Sequence, residues 1–182
     1  FYAYALIQIP AGVLIDRFGS RKLLAVACLI CALGSLLFGL SDNFWLASFS
    51  RALTGVGSAF AVIGCMTLAA HWFGAKHFAL LSGLIVSLGM LGAICGGAPL
   101  AYFVYHTSWQ SSLLMLSGVG VVLALVLYLF IRDYPADQQA HFEAHYDETL
   151  SGLKSILKSK QSWLGAIYGS LMYAPTIAFA AL

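Results

Sequence analysis

Charge is scarce in this sequence. Asp, Glu, Lys and Arg make up 9% of its 182 residues, while 61% are hydrophobic. A water-soluble domain ordinarily carries about 25% charged and about 45–50% apolar residues. That class is excluded, and an integral, all-α membrane chain is expected. Acidic residues are missing from every long apolar run: Asp16, Asp42, Asp133, Asp137, Glu143, Asp147 and Glu148 fall in turns or in one polar stretch. No Gly-x-Ser-x-Gly, His-Glu-x-x-His or Gly-x-x-x-x-Gly-Lys occurs, so hydrolytic and nucleotide-driven chemistry lack support. No enzymatic activity, metal or cofactor is expected, and no nucleic-acid partner. No basic segment precedes the first apolar run, so a signal peptide is not expected. The sequence starts at Phe1 and stops at Leu182 inside apolar runs, and a piece of a longer chain is the expectation. Its four cysteines, Cys28, Cys31, Cys65 and Cys95, all lie in apolar runs. They read as small packing residues rather than disulfide partners. Cys28-x-x-Cys31 has neither the further ligands nor the solvent access of a metal or redox site.

What the chain does contain is long hydrophobic runs. A bilayer core takes about 20 residues of helix. On that measure residues 1–15, 23–40, 44–73, 78–105, 109–131 and 163–182 are six spans or parts of spans. Short turns at 41–43, 74–77 and 106–108 separate most of them. The polar stretch 132–161 separates the last. Its first part reads as a solvated linker. In its second part Leu150, Leu153, Ile156 and Leu157 recur at helical spacing, which fits an amphipathic helix lying at the membrane surface or packed on the bundle's own ends. His141-x-x-x-His145 has metal-ligand spacing, but in a solvated linker no metal is expected there. The domain reading is therefore 1–132, transmembrane; 133–161, linker with an amphipathic helix; and 162–182, the start of a second transmembrane half.

Basic residues set the orientation. The turns around 16–22 and 74–77 and the stretch 132–161 alternate to one side and hold eight of the nine Lys and Arg. The turns at 41–43 and 106–108 hold none. The first side is expected to be cytoplasmic. Trp45, Trp72, Trp109 and Trp163 stand at or next to proposed span ends, where amphipathic rings prefer to lie.

The most informative turn is Gly12-Val-Leu-Ile-Asp16-Arg17-Phe-Gly19-Ser-Arg21-Lys22. A turn so charged cannot sit in hydrocarbon, and Gly19 suits a tight reversal. Asp16 is out of place, because the C-terminal end of a helix repels an anion. Arg21 across the turn, or another helix N-terminus, is its expected counterweight. Gly-x-x-x-Asp-Arg-x-Gly-x-Arg-Lys between two spans resembles the signature loop between the second and third helices of the major facilitator superfamily. Ser20 departs from it, since many members have a basic residue there. The resemblance implies a piece covering about helices two to seven, without helix one. It also implies a multi-pass secondary transporter working by alternating access, placed in a bacterial inner membrane. Gly12, Asp16, Arg17, Gly19, Arg21 and Lys22 would form a conformational latch. A small-molecule substrate, a lipid surround, a proton as coupling ion in symport and a monomeric state are the matching expectations.

Arg51 is the one Lys or Arg inside a proposed span. Arg51-x-x-x-Gly55-x-Gly57 resembles the family's fourth-helix motif, whose arginine is linked to substrate or coupling. The alternative is snorkelling. Arg51 lies six residues past Trp45, roughly 9 Å along the helix, a distance its side chain could mostly climb. Gly55 and Gly57, and Gly92-x-x-x-Gly96 with Gly97, read as helix-packing positions. Gly92, Gly96 and Gly97 also partly match the fifth-helix motif of proton-linked drug antiporters, from which Leu88 and Ala93 depart. Trp109-Gln110 resembles a Trp-Arg pair of the family, with Gln110 departing. Gln8-x-Pro10-x-Gly12 is similar to members that move small organic anions. A drug antiporter and a non-transporting receptor of the same fold stand as alternatives.

Overall fold

A computed structural model describes residues 2–132, 159–165, 167, 168 and 171. The chain divides into two units, 1–140 and 141–182. In the second, the described residues form a short helical piece from Lys160. The linker, its amphipathic helix, the 141/145 histidine pair and most of the sixth run lie outside the described residues.

The first unit is a row of helices: α1 (Tyr2–Phe18), α2 (Ser20–Gly39), α3 (Phe44–Gly96), α4 (Ala98–His106) and α5 (Trp109–Phe130). Among the described residues, four stretches are long and apolar enough to cross a membrane: Ser20–Gly39, Phe44–Gly74, Lys76–His106 and Trp109–Phe130. The chain is an integral, multi-pass membrane protein.

Connections are tighter than the charge pattern implies. The turn expected over 16–22 contracts to Gly19 alone (φ 82°, ψ 148°). Helical bonding runs up to it from one side, where Gly19 N donates to Ile15 O at 3.0 Å, and resumes on the other. Asp16 and Arg17 therefore close α1, while Arg21 and Lys22 open α2. The expected turn 74–77 likewise contracts to Gly74 (φ 62°, ψ −179°). This left-handed φ is one that glycine adopts at little cost. The fourth expected span has a break the apolar count did not anticipate, at Gly97 (φ −87°, ψ −109°). Pro99 just beyond it has no N–H to donate and crowds the carbonyl four residues back. Ser108 starts α5 by accepting from Ser111 N at 3.2 Å.

α2 lies between α3 and α5, and α1 packs on α3. Two sets of contacts identify the ends of the bundle. At one, Arg21 Nε donates to Tyr128 O at 2.7 Å, and Trp72 Nε1 donates to Arg132 O at 2.8 Å. At the other, Phe38 and Trp109 meet edge to face with ring centroids 6.1 Å apart. They will be called the Gly19 end and the Asn43 end.

The interior is made mostly of small residues. Ala11, Ile15, Ala27 and Phe60 form the core, with Leu14, Val56 and Ile63 against it. On α5 the buried positions are Ser112, Ser117 and Ala124, whereas Val119 is 65% exposed and Leu129 61% exposed. Large side chains outside and small ones inside would be a liability in water. In lipid the arrangement is favourable, because hydrocarbon solvates the large side chains and close backbone packing holds the helices together.

The seam between α2 and α3 shows how close that packing is. A Cβ on Gly57 would lie 2.6 Å from Ala27 O and 2.5 Å from Cys31 Sγ. One on Gly34 would lie 2.9 Å from Ser50 O. Cys31 Sγ reaches Thr54 O at 3.5 Å, and Cys28 Sγ reaches Gly120 O at 3.4 Å. The two thiols of Cys-x-x-Cys thus bond to different neighbouring helices.

Candidate functional site

Two groups of polar residues stand at opposite ends of the bundle. At the Gly19 end, Asp16 is the last carboxylate of α1, two residues before its terminus. Burial pushes its carboxyl above the usual carboxylate range, and the charge of His71 on α3 pulls it back down. His71 was not singled out in the sequence. Nothing local in Ala-Ala-His-Trp marks it, and only the packing of α1 on α3 brings the two together. Arg17 occupies the last turn of α1, where the dipole favours a cation.

Arg21 has the opposite problem. It opens α2, where the helix dipole is positive. Its guanidinium turns to the C-terminal end of α5, donating to Tyr128 O and lying 4.8 Å over the Tyr128 ring. This residue thus ties the turn to α5, a role not contained in the Asp16 pairing expected from the turn alone. Lys22 is exposed beside it, and Gly12 on α1 has open space, among the described residues, where a side chain would be.

A shallow apolar groove of about 370 Å³ lies at the same end, lined by Cys65, Leu68, Trp72, Phe73, Ile85 and Phe130 among others. Neither Asp16 nor Arg51 lines it.

At the Asn43 end stands Arg51, in the second turn of α3. Its guanidinium carbon lies 4.2 Å from the centre of the Phe38 ring. Phe38 belongs to the last turn of α2, and its ring meets Trp109 at the start of α5. Three helices thus contribute to one stack: Arg51, Phe38, Trp109. Among the described residues no carboxylate pairs with Arg51. The guanidinium sits beside the last turn of α2, at the Asn43 end of the bundle. Its N–H groups are available to water or to an anion.

The glycines singled out in the sequence divide by geometry. Gly57 is in backbone contact with α2, and Gly55 is in ordinary contact with Ala3 and Tyr4 of α1 at 3.7 Å. Gly92 and Gly96 face open space among the described residues, and Gly97 adjoins its own helix's carbonyls.

Comparison with known proteins finds one family model, described as Major Facilitator Superfamily, matching residues 1–182. Among curated proteins, the chain is 36% identical over 126 residues to an efflux pump, hmp6, of Hypomyces subiculosus, covering 68% of this chain and 22% of that protein. It is 25% identical to the probable sulfoacetate transporter SauU of Cupriavidus necator, covering 74% and 31%. It is 25% identical to a hexuronate transporter of Bacillus subtilis, covering 83% and 36%. The chain therefore spans between about a fifth and about a third of the length of these relatives.

Proposed function

The chain belongs to the major facilitator superfamily, and from that premise we propose that it is part of a secondary transporter that carries a small organic anion by alternating access. In this reading the Gly19 end is cytoplasmic. The anion meets Arg51 at the opposite mouth, and the Asp16–Lys22 segment latches one state of the cycle through contacts present in only that state. A proton gradient drives the solute.

The observation that carries the anion is Arg51. A cation within a span costs about 2.5–3.5 kcal/mol at the helix centre, and less toward the interface. Here it is held by a ring, and no carboxylate neutralises it among the described residues. An anionic solute would supply the missing charge. The acidic solutes in the names of two relatives agree with this.

The test is uptake of labelled sulfoacetate and glucuronate, with glucose as neutral control, by the full-length protein in proteoliposomes under an imposed pH gradient. Arg51→Gln is expected to abolish uptake with insertion intact. Arg51→Lys should retain a fraction, because an ammonium keeps the charge without the bidentate fork. Normal uptake by Arg51→Gln would leave snorkelling as the residue's role and end the anion reading.

A second reading has one observation in its favour, the 36% identity to an efflux pump. It is expected to show outward movement of apolar cations or neutral compounds, insensitive to Arg51→Gln. Leu88 and Ala93, which depart from the antiporter motif, weigh against it.

A further inference from the structure

Arg51 is held by a ring rather than by a carboxylate, and this choice of partner has chemical content. A guanidinium carries its positive charge over a flat face and its five N–H donors around the edge. A carboxylate partner would occupy that edge. A ring under the cation brings no oxygen acceptor to that edge. The guanidinium carbon of Arg51 lies 4.2 Å from the Phe38 centroid, within cation–π range. The Phe38 ring is itself braced by Trp109 at 6.1 Å and an interplanar angle of 69°, an edge-to-face geometry that aromatic pairs favour.

The backbone on both sides of the Phe38–Arg51 contact is anchored. Gly39, next to Phe38, lies against α5, where a Cβ would meet Leu113 Cβ at 3.2 Å. The Phe38 carbonyl accepts from Ser41 Oγ at 2.7 Å and from Ser41 N at 3.2 Å. On the other side, Ser50, the neighbour of Arg51, is fully buried and donates its hydroxyl to Ala47 O at 2.8 Å. A flexible cation is thus held over a ring whose backbone is anchored.

We propose that Phe38, braced by Trp109, is the positioning residue that presents the N–H edge of Arg51 to a carboxylate of the transported solute. This rests on the anion reading above and deepens it. The solute is recognised as a planar oxyanion taken bidentately. The affinity of the site is set partly by a residue that never touches the solute.

The experiment replaces Phe38 in the full-length, reconstituted protein and follows glucuronate uptake. Phe38→Leu is expected to raise KM about three- to tenfold, the range of a cation–π contact, with Vmax within about twofold. Phe38→Tyr and Phe38→Trp should restore KM. Mono-, di- and trifluorinated phenylalanines at position 38 keep the ring's shape and progressively weaken its negative face, so log KM should climb with each fluorine. This series settles the matter even if Phe38→Leu does not fold. Trp109→Leu should raise KM less than Phe38→Leu does.

A KM that ignores fluorination, or a loss of Vmax alone, would reduce Phe38 to a packing residue and overturn the inference while leaving Arg51 as the solute contact. A wild-type protein that takes up neither glucuronate nor sulfoacetate would overturn the anion reading itself. Uptake that survives Arg51→Gln would remove Arg51 from the site.

Discussion

At Asp16 two influences oppose one another. Surrounding protein disfavours the ionised carboxylate, and the charge of His71 favours it. The net direction is upward. A carboxyl raised above its unfolded value costs stability above that unfolded value, and the cost is relieved as pH falls through the folded value. His71→Ala removes the opposing influence, so the Asp16 carboxyl should titrate at still higher pH. Infrared difference titration of His71→Ala against a background carrying Asp16→Asn would read the shift; a midpoint that stays put or falls would show that His71 is not acting on it. Asp16 was legible in the sequence because a carboxylate at a helix C-terminus contradicts the dipole. His71 was not, because its relation to Asp16 exists only through the packing of α1 on α3. Phe38 lay between these cases. Counting back from the turn at 41–43 places it near Arg51, but hydrophobic periodicity treats a phenylalanine in a span as one more apolar side chain.

The element most revealing of how the bundle holds together is α2. Two glycines of one motif have different surroundings here. A methyl on Gly57 runs into the α2 backbone at Ala27 O, 2.6 Å away, whereas one on Gly55 meets α1 at an ordinary 3.7 Å. Gly57→Ala should therefore lower stability by about 1–3 kcal/mol, as over-packing does. Gly55→Ala should stay near neutral, with alanine's better helix propensity offsetting a slight crowding. Thermal unfolding in detergent, followed by fluorescence size-exclusion chromatography, compares them. Equal midpoints for the two variants would contradict the close seam. The spans themselves were legible from apolar length. Their connections were less so, because charge density marks where a turn must emerge but says nothing of how few residues it takes. Gly19 and Gly74 each complete the break alone, and the helices extend into residues whose charge suggested a loop. Gly97 was read as a packing position, and the helix break there was missed because hydropathy does not register the missing N–H of Pro99.

Taken together, the helices gather Arg17, Arg21, Lys22, Lys76 and Arg132 at the Gly19 end and leave Asp42 at the other. With the native cysteines replaced, a cysteine at Lys22 or Lys76 should react with an impermeant thiol reagent only after the cells are opened. One at Asp42 should react in intact cells. The reverse pattern would invert the orientation. The membrane class was plain from composition, whereas the solute was not, since the charge that would choose it is a single arginine near one end of the bundle. The seam between α2 and α3 has a thermodynamic consequence of its own. A soluble core that comes apart exposes apolar surface to water, and the resulting heat-capacity increase bends its stability curve into a dome. Here Gly34 and Gly57 separate into lipid, not water, and little heat capacity changes. The free energy of parting these helices should run nearly straight with temperature, with no maximum to fall from on cooling. The bundle would then weaken steadily with heat and keep its grip in the cold.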